Sequence, residues 1–228
     1  MNRHLIVRGG LAVLFCAWGL TAFGASYTWN GGGTDDHWST GLNWSGGSAP
    51  GGLATDDVYL AGTVRLTPDV DLNNPWMLGS LSFSSGAGAF TLSGNPLSFQ
   101  GSVAADVLVN NSGNGQTLDL DLTLAGTGTK TIKAATDNLV LKQKLILNVA
   151  GEVKGAADTT IEGIISGTGD LRKDDSGRLV LKGDNTFVSM TPHNSFSTAA
   201  PSRCKASTNR WTPSPARPAP RSIWAAGC

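Results

Sequence analysis

The sequence predicts an all-β chain folded as a stacked β-solenoid, and three observations carry this. Short apolar runs recur at close intervals with Gly, Asn or Asp in nearly every gap. No stretch sustains a 3.6-residue apolar period, and β-branched residues and glycines interrupt every helical window. Residues Ile164 to Phe187 form one complete strand-turn-strand unit. Strands of about five residues with corners between them fit a sandwich or a solenoid. The repeat unit decides for the solenoid.

Residues 1–24 are taken as a cleaved signal peptide. Arg3 and Arg8 precede the apolar run Leu11 to Leu20, and Ala22-Phe23-Gly24 supplies small residues for cleavage near Ala25. That run is shorter than the roughly 20 residues a membrane span needs. Phe15 stands where a lipidated Cys16 would require a small residue, so Cys16 is an apolar filler.

Residues 25–56 are expected to be an aromatic N-terminal cap. Trp29, Trp38 and Trp44 are three of the four tryptophans between the signal and Phe187. The first coil of a solenoid needs covering, which gives these rings a structural role. The competing role is glycan contact, with the rings stacking on sugars and Asp35, Asp36, His37 and Asn43 bonding hydroxyls.

Residues 57–187 are the expected solenoid. Strands are placed at Val58–Leu60, Val64–Leu66, Leu78–Phe83, Ala89–Leu92, Leu97–Phe99, Val107–Val109, Thr117–Leu124, Thr129–Lys133, Leu139–Leu141, Leu145–Val149 and Thr160–Ile165. The clearest alternation sends Leu118, Leu120, Leu122 and Leu124 to one face and Asp119, Asp121 and Thr123 to the other. In the last unit Leu179 and Leu181 share a face, while Leu171 and Lys173 are placed on opposite faces. Asp174, Asp175, Ser176 and Gly177 form a polar turn, making a short β-arch or hairpin. Gly167 and Gly169 leave room for a neighbouring backbone, and Gly183, Asp184 and Asn185 turn the next corner before Phe187.

This unit resembles the passenger-associated repeat of bacterial autotransporters: alternating glycines, Leu-x-Lys, a polar turn, then Leu-x-Leu-x-Gly-x-Asn-x-Phe. The matching residues are Gly167, Gly169, Leu171, Lys173, Gly177, Leu179, Leu181, Gly183, Asn185 and Phe187. The opening tryptophans are similar to those at the start of exported solenoid passengers. The resemblance implies a right-handed parallel β-helix of pectin-lyase-like architecture, exported to the surface of a Gram-negative-type bacterium. It implies a structural or adhesive scaffold whose partners are the export machinery and a surface glycan or host cell-surface ligand. The family's C-terminal membrane barrel is missing, so membrane attachment would come only through it; a real truncation would leave the product periplasmic.

Residues 25–187 hold all 17 acids and 10 of the 17 bases, a balance that does not suit nucleic-acid binding. They hold no cysteine, so no disulfide staples them. No catalytic, metal-binding or cofactor residue is assigned. Asp119 and Asp121, about 7 Å apart along a strand, could share acid-base work or a calcium ion, but no Arg or Lys is expected beside them; a wet strand face is preferred. His4, His37 and His193 fall in separate segments, which argues against a triad or zinc site. Gly167-Thr168-Gly169 has Arg172 where a dinucleotide fingerprint has its third glycine. The turn at Asp174 lacks the Glu of a calcium loop. The alternatives to a scaffold are a carbohydrate-binding or polysaccharide-degrading β-helix and a nonfunctional truncated product.

Residues 188–228 contain six of the ten prolines, Cys204, Cys228 and no acid. They are expected to be a disordered tail, read out of frame after Phe187.

Overall fold

The structure, a computed structural model, describes residues 24–72, 74–101, 105–185, 190–192 and 196–198. It is a β-solenoid whose ladders are all parallel, each coil giving one strand to each of three sheets. Strand β1 (Ser26–Trp29) opens the first sheet. Five complete coils follow: β2 (Asp57–Leu60), β3 (Asp69–Val70) and β4 (Trp76–Leu78); β5 (Ser80–Phe83), β6 (Thr91–Gly94) and β7 (Leu97–Phe99); β8 (Ala105–Asn110), β9 (Gln116–Asp119) and β10 (Leu122–Leu124); β11 (Lys130–Ala134), β12 (Leu139–Leu141) and β13 (Leu145–Leu147); β14 (Gly151–Lys154), β15 (Thr159–Ile161) and β16 (Ile165–Gly167). β17 (Leu171–Lys173) and β18 (Leu179–Leu181) continue the first and second sheets. The single helical piece among the described residues is the 3-10 turn Gly41–Asn43.

The core consists of columns running along the stack. In the second sheet Leu92, Leu118, Leu141, Ile161 and Leu181 lie in register across five strands. In the third, Trp76, Leu97, Leu122, Leu145 and Ile165 do the same. In the first, Val58, Leu81, Leu108, Ile132 and Val153 lead up to Lys173. All of these side chains are buried. Each covers the one beneath, so apolar area leaves water on both sides of every coil, worth roughly 25 cal/mol per Å².

Corners keep the inward parity. Leu118, Leu120, Leu122 and Leu124 form one continuous alternation, yet Leu118 belongs to the second sheet, Leu120 to the bend and Leu122 and Leu124 to the third sheet, and all four are buried. The expected strand Thr117–Leu124 is therefore two strands joined at a corner. Leu78–Phe83 and Thr160–Ile165 split in the same way. Val64–Leu66 is no strand: Val64 is exposed and Arg65 has φ +50°.

Leu171 and Lys173 do not take opposite faces. Two residues apart on one strand, they share a parity, and both point inward, with Lys173 1% exposed. The Asp174–Gly177 turn, with Asp175 at φ +63°, passes the chain from the first sheet to the second. The unit is an arch, since β17 and β18 pair with β14 and β15 rather than with each other. β19 (Met190–Pro192) and β20 (Phe196–Thr198) pair with β17 and β18. They place paired strands inside the span expected to be disordered. Residues 1–23, Phe187 and the remainder of 188–228, including His4, Cys16, His193, Cys204 and Cys228, lie outside the described residues.

Two buried polar groups test the packing. Asn110 stands in a column between Phe83 and Ala134, and its Nδ2 donates to the carbonyls of Asn114 (2.9 Å), Asp137 (2.9 Å) and Asn138 (3.1 Å). Its Oδ1 accepts from the Ser112 amide at 3.0 Å, so it is satisfied. Thr159 stands between Leu139 and Leu179, and its hydroxyl is buried without a partner. Thr159→Val keeps the shape and β-branching and removes an unsatisfied hydroxyl. Urea denaturation is expected to show a gain of about 1 kcal/mol, whereas Leu145→Ala, in an aliphatic column, is expected to cost about 2–5 kcal/mol.

Candidate functional site

The aromatic segment closes the stack where β1 begins it. Trp44 packs edge-on against Trp29 and Trp38, both at 5.3 Å between ring centroids, and Trp38 meets Trp76 at 6.3 Å. The 3-10 turn brings Asn43 beneath these rings. Its Nδ2 donates to the carbonyls of Asp35 (2.9 Å) and His37 (3.0 Å), and its Oδ1 accepts from the Gly33 amide at 2.9 Å. Trp44 Nε1 donates to the Trp38 carbonyl at 2.8 Å, and Trp29 Nε1 to the Arg65 carbonyl at 3.3 Å.

Trp29, Trp38 and Trp44 are each at most 1% exposed, so none offers a ring face to a sugar. The expected glycan contact at these three residues is corrected: the rings are core. The polar residues around them are engaged within the cap as well. Asp36 pairs with Arg65 at 3.2 Å, and His37 Nδ1 lies 3.3 Å from Asp69 Oδ2. The Thr40 hydroxyl, bonded to Asp35, is the main cause holding that carboxyl below its ordinary pKa.

Asp119 and Asp121 lie on the outer face as expected, but Asp119 has a cation beside it. Lys142, one coil later, places Nζ 3.4 Å from Asp119 Oδ2, and Gln143 Nε2 donates to Oδ1 at 2.7 Å. Asp121 Oδ1 accepts from the Lys144 amide at 3.0 Å. The Gln143 bond, followed by Lys142, lowers the Asp119 pKa. A carboxyl held ionised in this way is a poor proton donor near neutrality. No group of three or more His, Cys, Asp or Glu side chains suited to a metal converges among the described residues.

A shallow cleft of about 250 Å³ lies at the corner between the third and first sheets, lined by Thr129, Ala150, Gly151, Glu152, Asp170 and Arg172. Glu152 is clamped by Lys154 at 2.9 Å and Arg172 at 3.5 Å. The first of these bonds is the main cause raising the Lys154 pKa.

The repeat residues hold the architecture. Gly167 has φ +115°, and a Cβ there would stand 2.2 Å from the Leu147 carbonyl oxygen of the preceding coil. Gly169, Gly177 and Gly183 meet the previous coil's carbonyls as closely. Leu171, Leu179 and Leu181 fill the interior. Asn185 Oδ1 accepts from the Ile165 amide at 2.9 Å. Lys173 turns its ammonium to the carbonyls of Asp174 and Asp175 at the arch. A second lysine inside the stack, Lys130, donates to the carbonyls of Gly101 (2.6 Å) and Thr127 (2.8 Å). Burial lowers the pKa of both. Neither buried ammonium was foreseen; the Leu-x-Lys spacing, read at its strict period of two, places Lys173 inside.

Comparison of the chain with protein-family models, with curated proteins and with solved structures gives no match.

Two outcomes follow from this geometry. Trp44→Ala removes the centre of the edge-on cluster and is expected to cost about 3–5 kcal/mol in chemical denaturation. For Lys173, the unfolded chain keeps the proton up to the ordinary value of 10.5, whereas the folded chain releases it earlier. Between these two values the unfolded state binds more protons, so stability rises with pH. The stability of the natural chain relative to Lys173→Met is therefore expected to climb as pH approaches 10.5 and to stay level below the folded value, checked by urea titrations across the alkaline range.

Proposed function

We propose that this chain is the exported solenoid portion of an autotransporter-like passenger, acting as a structural and adhesive scaffold at the surface of a double-membraned bacterium. The observation that carries the reading is the fit between motif and architecture. Each described position of the repeat performs a task specific to stacked coils: glycines pass close backbones, leucines fill columns, Lys173 bonds an arch from within, and Asn185 bonds the edge strand. The capped first coil supports it too, because a solenoid working as a rod must cover its terminal aromatic and aliphatic surface.

The mechanism is geometric. Coils stacked through parallel ladders and continuous apolar columns resist bending, and they carry corner loops outward on a firm support. Adhesion partners, glycan or protein, would meet those loops rather than the cap tryptophans. Folding outside the membrane, coil upon coil, would also oppose backsliding during export.

Export is tested by expressing the full chain and a variant lacking residues 1–24 in a Gram-negative host and probing intact cells with protease. The reading expects the full chain outside the inner membrane, processed near Ala25, and the shortened one in the cytoplasm. Full-length chain left unprocessed in the cytoplasm would contradict it.

A further inference from the structure

The turn that passes the chain from β8 to β9 gathers buried polar side chains around one peptide bond. Asn110, Ser112 and Gln116 are fully buried. Asn110 Nδ2 at 2.9 Å, Gln116 Nε2 at 3.0 Å and Ser112 Oγ at 3.0 Å all reach the carbonyl oxygen of Asn114. The amide of that peptide bond belongs to Gly115, and it makes no hydrogen bond among the described residues. Donors fixed around a peptide oxygen stabilise the negative charge that spreads onto it when the amide proton leaves. They therefore ease formation of a nucleophilic nitrogen at Gly115.

The electrophile stands next to it, in the side-chain amide of Asn114. Asn114 is exposed, and a Cβ on Gly113 or Gly115 would meet nothing within 4 Å, so the backbone has room to turn toward that amide. The chain has one other Asn-Gly pair, Asn30-Gly31. There the Gly31 amide donates to the Asn43 carbonyl at 3.2 Å, and a Cβ on Gly31 would stand 2.6 Å from the Val64 carbonyl oxygen. One pair is poised and the other is held.

We propose that Asn114-Gly115 is a self-modification site, at which the turn promotes deamidation and the product loosens this coil from the one before it. A base in solvent takes the Gly115 amide proton and the nitrogen bonds to Asn114 Cγ. The Cγ–Nδ2 bond then breaks, and with a proton returned from solvent the nitrogen leaves as ammonia. Water opens the resulting succinimide at either carbonyl, which leaves aspartate or isoaspartate. In the natural chain Asn114 Nδ2 donates to the Ala87 carbonyl of the preceding coil at 2.8 Å. A carboxylate has no hydrogen to give and sets negative charge against that oxygen. Conversion runs one way, so it accumulates with the age of the chain.

The test incubates the full chain in mildly alkaline buffer, folded and in urea, and follows both pairs by peptide mapping that separates asparagine, aspartate and isoaspartate. Asn114 is expected to convert about tenfold faster in the folded protein than in urea, and Asn30 more slowly folded than in urea. Asn114 converting no faster in the folded protein would overturn the proposal. Gln116→Met removes one donor from the Asn114 carbonyl and keeps a side chain of similar length. In the folded variant the rate at Asn114 is expected to fall and the rate at Asn30 to stay; an unchanged rate at Asn114 would overturn the role given to the turn. Asn114→Asp is expected to melt roughly 2–4 °C below the natural chain, and an equal melting temperature would overturn the loosening.

Discussion

Inward side chains in this fold stand on the equivalent side chain of the coil below and carry that of the coil above. The register between neighbouring coils is therefore the constraint on which the rest depends. A slip of one residue would turn a whole strand's apolar set outward, exposing Leu141 or Ile161 and burying Val140 or Thr160 in its place. The parallel ladders, the near-contact of corner glycines with carbonyls of the previous coil and the ion pairs of Arg172, Arg178 and Lys182 with Glu152, Asp158 and Glu162 of the previous coil all act on that one variable. Between Leu141 and Leu181 the spacing is held at twenty residues, through Ile161.

Polar groups enter the interior where the chain bends. Lys173 and Asn110 occupy positions at the edges of strands, and their polar ends bond carbonyls at the corners rather than facing the aliphatic columns. Corner carbonyls cannot all join the ladders, and an unbonded buried carbonyl is costly. An ammonium or amide reaching along the inside satisfies several at once while its stem packs like an aliphatic chain. Thr159 opens β15 at such an edge too, but its short hydroxyl is buried without a partner.

Much of the architecture was legible in the sequence. The sequence places Leu139–Leu141 and Leu97–Phe99 to the residue, because two inward apolar side chains flank a single residue of the opposite parity between turn signals. The glycines of 164–187 announced close coils. What stayed hidden has definite causes. β14, Gly-Glu-Val-Lys, carries a single aliphatic and is a strand because β11 and β17 flank it. Coils 144–163 and 164–183 share few residues at equivalent positions, and earlier steps along one column, Leu92 to Leu118 to Leu141, are longer than twenty, so no fixed period shows. The partnership of Asp119 with Lys142 spans one such coil and cannot be seen from strand neighbours. Burial of Trp29, Trp38 and Trp44 was legible as a cap, but the same residues in a linear sequence serve a sugar platform equally well.

The stacking register can be measured in solution, since residues 25–187 contain no cysteine. With Cys16, Cys204 and Cys228 changed to serine, Thr160→Cys and Val180→Cys place thiols at outward positions paired in register, one strand spacing of about 4.8 Å apart. A short thiol cross-linker is expected to join them rapidly in the native protein and to leave Thr160→Cys with Leu179→Cys unjoined, because Leu179 faces the interior. Rapid joining of the second pair and none of the first would mean that these strands do not stack as coils in this register, and the account would fail.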